Sequence, residues 1–227
     1  MSHYSLPQRL SAEFIGTATL VATVVGSGIM ATNLTSDVGL QLLGNTIPTG
    51  AILYVLITIF GPISSAHFNP AVSLVFAFKR QLALYEVLPY VIFQVAGGII
   101  GTIIAHTMFD MNMVELSTNF RTGNALWFSE FVATFGLIIT ILLGLKHSQN
   151  NIPALVAFYI TGAYWFTAST SFANPSVTVA RSLTNSFSGI APASVIAFIL
   201  AQLIGAIAAM FVVHLLSNKK SSTESVN

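Results

Sequence analysis

The sequence predicts an all-α membrane protein: six transmembrane helices plus two re-entrant half-helices, folded as an inverted-repeat bundle. Three observations carry this prediction. The 227-residue chain is 54% hydrophobic and only 7% charged, where a soluble domain carries about 25% charged residues. Six apolar runs each approach the ~20 residues that cross a bilayer. Two shorter apolar stretches each open with Asn-Pro, and the two halves of the chain match around them.

The elements follow in order. "MSHYSLPQRLSAEF" leads into an apolar run from Phe14 to Ala31. The length of that run, with Glu13 at its start, favours an uncleaved first span over a signal peptide. The predicted spans are 11–31, 46–63, 84–106, 126–145, 152–170 and 191–216. The stretches 69–79 and 174–184 are too short to cross. Residues 1–216 form a single transmembrane domain, with repeat one over about 8–108 and repeat two over about 125–216. The polar tail 217–227 lacks the apolar content of a packed segment. A cytoplasmic N-terminus places Arg9, Lys79, Arg80, Lys146, Lys219 and Lys220 inside, and Arg121 and Arg181 outside. This obeys the positive-inside rule, puts both termini in the cytoplasm and suits a bacterial inner membrane.

The repeat rests on three pairs. "SAEFIGTATLV" matches "FSEFVATFGLI", aligning Glu13 with Glu130. "FNPAVSLVF" matches "ANPSVTVAR", aligning Asn69 with Asn174. "QVAGGIIG" matches "QLIGAIAA", aligning Gln94 with Gln202. Three spans per half is an odd number, so the halves insert with opposite orientation, as in many transport proteins.

Proline suits the first turn of a helix, where its missing N–H has no partner to lose. Asparagine before it is a preferred cap. Asn69-Pro70 and Asn174-Pro175 are therefore helix starts at membrane depth. Irregular backbone there is tolerated only inside protein or against a wet cavity. The two N-termini meet near the midplane, each with about half a positive charge, and repel cations. Each Asn caps with its oxygen and keeps an NH₂ to donate. Loop carbonyls from Ser65 to Phe68 and from Ser171 to Ala173 supply acceptors along the approaches. That pattern suits neutral hydroxylated solutes.

Buried carboxylates are costly in a bilayer. Glu13 and Glu130 are assigned to hold the re-entrant loop of their own half by accepting backbone N–H bonds. A proton relay in a coupled transporter is the rival reading. Gln94 and Gln202 bond between helices or to the loops, and Gly97-x-x-x-Gly101 marks close helix packing. His67 is a loop anchor, and His106 and His214 lie at helix ends. With no cysteine and five scattered histidines, no metal site or cofactor is expected. A net charge of +1 argues against nucleic acid as a partner. No nucleophile–base pair suggests an enzyme.

These motifs resemble the major intrinsic protein family, the aquaporins and aquaglyceroporins, across about residues 8–216. "SAHFNPAV" is close to the family's first box, and Asn174-Pro175-Ser176 resembles the second, with Ser for Ala. The resemblance implies an aquaporin-like right-handed bundle, a pore in each subunit and a homotetramer. It implies a pore centre of Asn69, Pro70, Ala71, Asn174, Pro175 and Ser176. The adjoining loop residues Ala66, His67, Phe68, Phe172 and Ala173 line the path.

One feature departs from the family. Most members carry an Arg directly after the second box; here that position is Val177, and Arg181 follows four residues later. Residues i and i+4 share a helix face about 6 Å apart along the axis, so Arg181 either faces the pore one turn further out or snorkels to the interface. Spacing from the boxes gives a selectivity filter of Thr49, Gly162, Ser171 and Val177, with Arg181 beside it. This set is wider and less charged than that of water-selective members. The expected function is a passive channel for small uncharged solutes: glycerol-like polyols, water and neutral metalloid acids such as arsenous acid. The alternatives are a water-selective aquaporin, an ion-coupled secondary transporter and a closed junctional membrane protein.

Overall fold

In the computed structural model, which describes residues 4–217, the first helix α1 (Leu6–Leu34) starts at a cap. The Ser5 N–H donates to the Gln8 side chain at 2.8 Å, and Pro7 sits in the first turn. α2 (Val38–Ser64) starts eight residues before the predicted position 46. Gly39, Gly44 and Asn45 dilute the apolar signal there. Asp37 nonetheless caps the helix through the Leu40 N–H at 2.9 Å. Asn45 is satisfied by donating to the Val24 carbonyl (2.8 Å) and the Ser27 hydroxyl (2.9 Å) of α1.

The remaining helices are α3 (Pro70–Phe78), α4 (Leu84–Met108), α5 (Asn124–His147), α6 (Ile152–Phe166), α7 (Pro175–Arg181) and α8 (Pro192–Ser217). A 3₁₀ turn over Gln149–Asn151 leads into α6. Helices α1, α2, α4, α5 and α8 are long and apolar enough to cross a membrane. α6 is shorter than the predicted 152–170. Its 15 residues rise about 22 Å, less than the ~30 Å hydrocarbon layer. The chain leaves it at Thr167 to form the second re-entrant loop. α7 likewise stops at Arg181, three residues short of the predicted end at 184.

Within each repeat the packing corresponds. α1 lies on α4 and α2, α5 lies on α8 and α6, and α2 against α6 joins the halves. Small residues permit the closest approaches. A Cβ at Gly97 would collide with the Phe14 backbone, and one at Gly205, its counterpart in the second repeat, with the Phe131 backbone. The large apolar side chains Ile15, Tyr54, Ile104, Phe158 and Phe211 point outward, while Glu13, Gln94, His106, Glu130 and Gln202 are fully buried. Apolar outside and polar inside is the order expected of a bundle solvated by lipid.

Residues 218–227, which include Lys219, Lys220 and nearly all of the predicted tail, lie outside the described residues.

Candidate functional site

Each re-entrant loop hangs from one carboxylate. Glu13 accepts from the Ser64 hydroxyl (2.6 Å), the backbone N–H groups of His67 (2.9 Å) and Phe68 (2.6 Å), and the Gln94 amide (2.8 Å). Glu130 accepts from the N–H groups of Phe172 and Ala173, both at 2.9 Å, and from the Gln202 amide at 2.6 Å. Each glutamine then reaches a hydroxyl of its half-helix at 2.9 Å, Ser73 on α3 and Thr178 on α7. The loops need this support because Ser65, Ala66, Phe68, Thr170, Ser171 and Ala173 all have positive φ. That backbone costs energy in residues bearing a side chain.

The half-helices abut at their N-termini. Asn69 caps α3, its oxygen accepting from the Ala71 N–H at 2.9 Å. Asn174 caps α7, accepting from the N–H groups of Ser176 (3.0 Å) and Val177 (3.3 Å). The amides cross over: Asn69 donates to the Ala173 carbonyl and Asn174 to the Phe68 carbonyl, both at 2.8 Å. Each NH₂ has two hydrogens, so each keeps a donor beyond this bond. The crossing occupies one lone pair of the Ala173 carbonyl and, with the Ser176 hydroxyl at 3.3 Å, both of the Phe68 carbonyl, so Phe68 drops out of the expected acceptors of the path. Among the described residues, the Ala66, His67, Ser171 and Phe172 carbonyls accept no hydrogen bond.

A cavity of about 550 Å³ runs past both asparagines. Its walls include Leu20, Val24, Leu53, Ile141 and Val156 on one side, and the loop residues Ala66, His67, Phe68, Phe172 and Ala173 on the other. One end is bordered by Gln149, Asn150 and Pro62, and the other by Thr49, Tyr164, Val177 and Arg181. Among the described residues no carboxylate lines it. His67 is anchored through Nδ1 to the Ser73 hydroxyl at 3.1 Å and packs on Phe76.

Asn69, Asn174, Thr49, Ser171, Val177 and Arg181 all border this cavity. Pro70, Ala71, Pro175 and Ser176 are buried beside it at the junction of α3 and α7 instead. Gly162 does not line it. A Cβ there would meet no atom within 4 Å, and the residue is exposed on the outer face of α6. The cavity face of α6 carries Val156, Ile160 and Tyr164. Two residues along a helix is a rotation of about 200°, so Gly162 and Tyr164 face opposite ways. Spacing from the second box missed this because α6 ends early. Trp165 and Phe166 point outward at 52% and 59% exposure.

Arg181 does not snorkel. It is 2% exposed, its Nε donates to the Ser188 carbonyl, and its guanidinium carbon lies 3.4 Å from the Phe172 ring centre. Its Nη1 is buried without a partner. A second arginine lies near. Arg121, on the segment between α4 and α5, donates to the carbonyls of Gly189 (2.9 Å), Ser169 (3.3 Å) and Phe187 (3.4 Å). Burial lowers its pKa from the usual arginine value, and the Glu130 charge acts in the opposite sense. Arg121 lies in no repeat motif, so no local signal marks it for this position.

The family model described as Major intrinsic protein matches residues 1–168 and 147–227, two overlapping stretches that cover the chain. The chain belongs to the major intrinsic protein family. Among members of this family, the aquaglyceroporin AqpS of Rhizobium meliloti (strain 1021) is 57% identical over 92% of this chain and 90% of its own length. The glycerol uptake facilitator protein of Streptococcus pneumoniae (strain ATCC BAA-255 / R6) is 32% identical over 63% of this chain and 67% of its own. The X-ray structure of the aquaglyceroporin from Plasmodium falciparum superposes with a TM-score of 0.70 at 18% identity, covering 91% of this chain and 95% of that one. That similarity establishes the shared fold.

Proposed function

We propose that the protein is a passive membrane channel for small uncharged solutes: glycerol-like polyols and water, with neutral metalloid acids such as arsenous acid in the same class. The observation that carries this reading is the cavity itself. It has an apolar wall for carbon chains, a polar strip for hydroxyls, two asparagine donors midway and no carboxylate among its described lining residues. The names of the two curated relatives, an aquaglyceroporin and a glycerol uptake facilitator, support it.

In this reading Asn69 and Asn174 form the pore centre, and Thr49, Tyr164, Ser171, Val177 and Arg181 form the filter. Glu13 and Glu130 support the loops. A coupled transporter needs a carboxylate that an ion can reach, and both glutamates are fully buried with several donors each. The channel performs no reaction. It sits in the inner membrane with both termini cytoplasmic, as a homotetramer. Stopped-flow light scattering of reconstituted vesicles tests the reading. Glycerol, water and arsenous acid fluxes that do not saturate and ignore ionophores are expected. Saturable flux abolished by an ionophore would favour the coupled transporter.

A further inference from the structure

We infer that the turn joining α3 to α4 binds one anionic phospholipid of the cytoplasmic leaflet, with Arg80 holding its phosphate. Only the choice of leaflet rests on the orientation proposed above. The site is a groove of about 360 Å³ lined by Ala77, Phe78, Arg80, Leu82, Ala83 and Leu84. It shares no lining residue with the cavity that passes the two asparagines. Its floor is fixed. Ala77 and Leu82 are buried in one apolar cluster with Leu10 and Tyr90, and the Gln81 and Leu82 N–H groups both donate to the Phe76 carbonyl, at 2.8 and 3.2 Å. Its rim is apolar and open, with Phe78 64% and Leu84 76% exposed. From Leu84 an exposed apolar stripe continues along α4 through Leu88, Ile92, Ile100 and Ile104, residues that share one helix face by their spacing in fours. A charged end beside a groove that runs on into an apolar stripe matches a headgroup followed by an acyl chain.

Arg80 is the residue that needs an explanation. Its φ of 59° is the left-handed conformation that glycine usually supplies after a helix, and a side chain there costs energy. Its side chain is exposed, so burial does not offset that cost. Lys79, also exposed, already supplies the cation favoured at the carboxyl end of α3. Among the described residues neither Lys79 nor Arg80 enters an ion pair. The nearest carboxylate in the chain, Glu86, is taken by Arg9 at 2.9 Å. Two unmatched positive charges thus flank an apolar groove at the level of the membrane border. A phosphate matches the planar fork of arginine. A zwitterionic lipid would bring its own cation to the same place, whereas an anionic lipid leaves its charge for the protein to balance.

The test is native mass spectrometry of the full chain in detergent, with phosphatidylglycerol or phosphatidylcholine added. Wild type should retain phosphatidylglycerol in preference. Arg80→Gln should lower that retention about fivefold, the scale of one basic residue at an anionic surface. Arg80→Gly should lower it equally yet raise the melting temperature, because glycine relieves the left-handed backbone. Lys146→Gln removes an exposed charge elsewhere and should change neither. Equal retention of both lipids by wild type, unchanged retention in the two Arg80 variants, or an equal loss from Lys146→Gln would overturn the inference. Displacement of the lipid by inorganic phosphate at equal concentration would overturn it too, since the acyl chain would then contribute nothing. Leu84→Cys gives the chain its sole thiol. A cross-link through it to a second copy would assign the groove to a protein interface and overturn the lipid. Labelling of that thiol from outside intact cells by an impermeant reagent would instead overturn the orientation, and with it the choice of leaflet.

Discussion

The Tyr164 hydroxyl lies 3.4 Å from the Thr49 hydroxyl, joining α6 to α2 at the end of the cavity that Arg181 borders. Thr49 spends its own hydrogen on the Asn45 carbonyl at 2.8 Å, so Tyr164 is the donor of the pair. A solute that displaces Thr49 can take that donor. Tyr164→Phe keeps the width and removes the hydroxyl. It should lower glycerol flux relative to water about fivefold, equivalent to one net hydrogen bond of ~1 kcal/mol. Tyr164→Gly should instead admit longer polyols. Swelling rates across a polyol series check both.

Two glycines distinguish packing from pore lining. Gly97→Ala drives a methyl into the Phe14 backbone and should destabilise the protein by about 2 kcal/mol. Gly162→Ala meets open space and should leave both stability and the glycerol-to-water ratio at wild-type values. A changed ratio in Gly162→Ala would restore that residue to the filter. Thermal unfolding in detergent and vesicle swelling give the two readouts.

Val177 stands at the cavity surface one turn before Arg181. Val177→Arg adds a large cation to the cavity wall and should cut polyol flux relative to water by about tenfold, through steric and desolvation costs. An unchanged ratio would remove Val177 from the filter. Asn174→Asp retains a capping oxygen but places a negative charge between two helix N-termini. Cation conductance should appear that wild type is expected to lack, and planar-bilayer recording of both measures it.

Glu13→Gln exchanges a carboxylate that accepts four hydrogen bonds for an amide with one acceptor oxygen. It should cost about 3 kcal/mol, since hydrogen bonds to a charged acceptor are the strong ones. Glu130→Gln, with three donors to lose, should cost less. Melting temperatures of the two variants in one detergent give the order.

Much of this was legible because the signals were local or repeated. Asn-Pro is a cap and a helix start by its own chemistry, and two copies imply a pair. Glu13 and Glu130 are legible as loop supports because a lone carboxylate at membrane depth needs donors. The start of α2 was less legible: Asn45 looks like loop in sequence, and only its bonds to α1 make it helical interior. Arg121 was invisible, since its partners are carbonyls up to 68 residues away, and carbonyls carry no sequence signature.

The amino-acid order by itself determined the inverted repeat, the two opposed half-helices and the chemistry of the path, because hydrophobic length and helix-capping rules act within a few neighbouring residues. Only the tertiary structure decided which residues face the cavity at its Arg181 end. That depends on where α6 stops and how it is rotated when it packs on α2 and α5. A difference of two positions turns a side chain to the opposite face, and so Tyr164, rather than Gly162, borders the cavity.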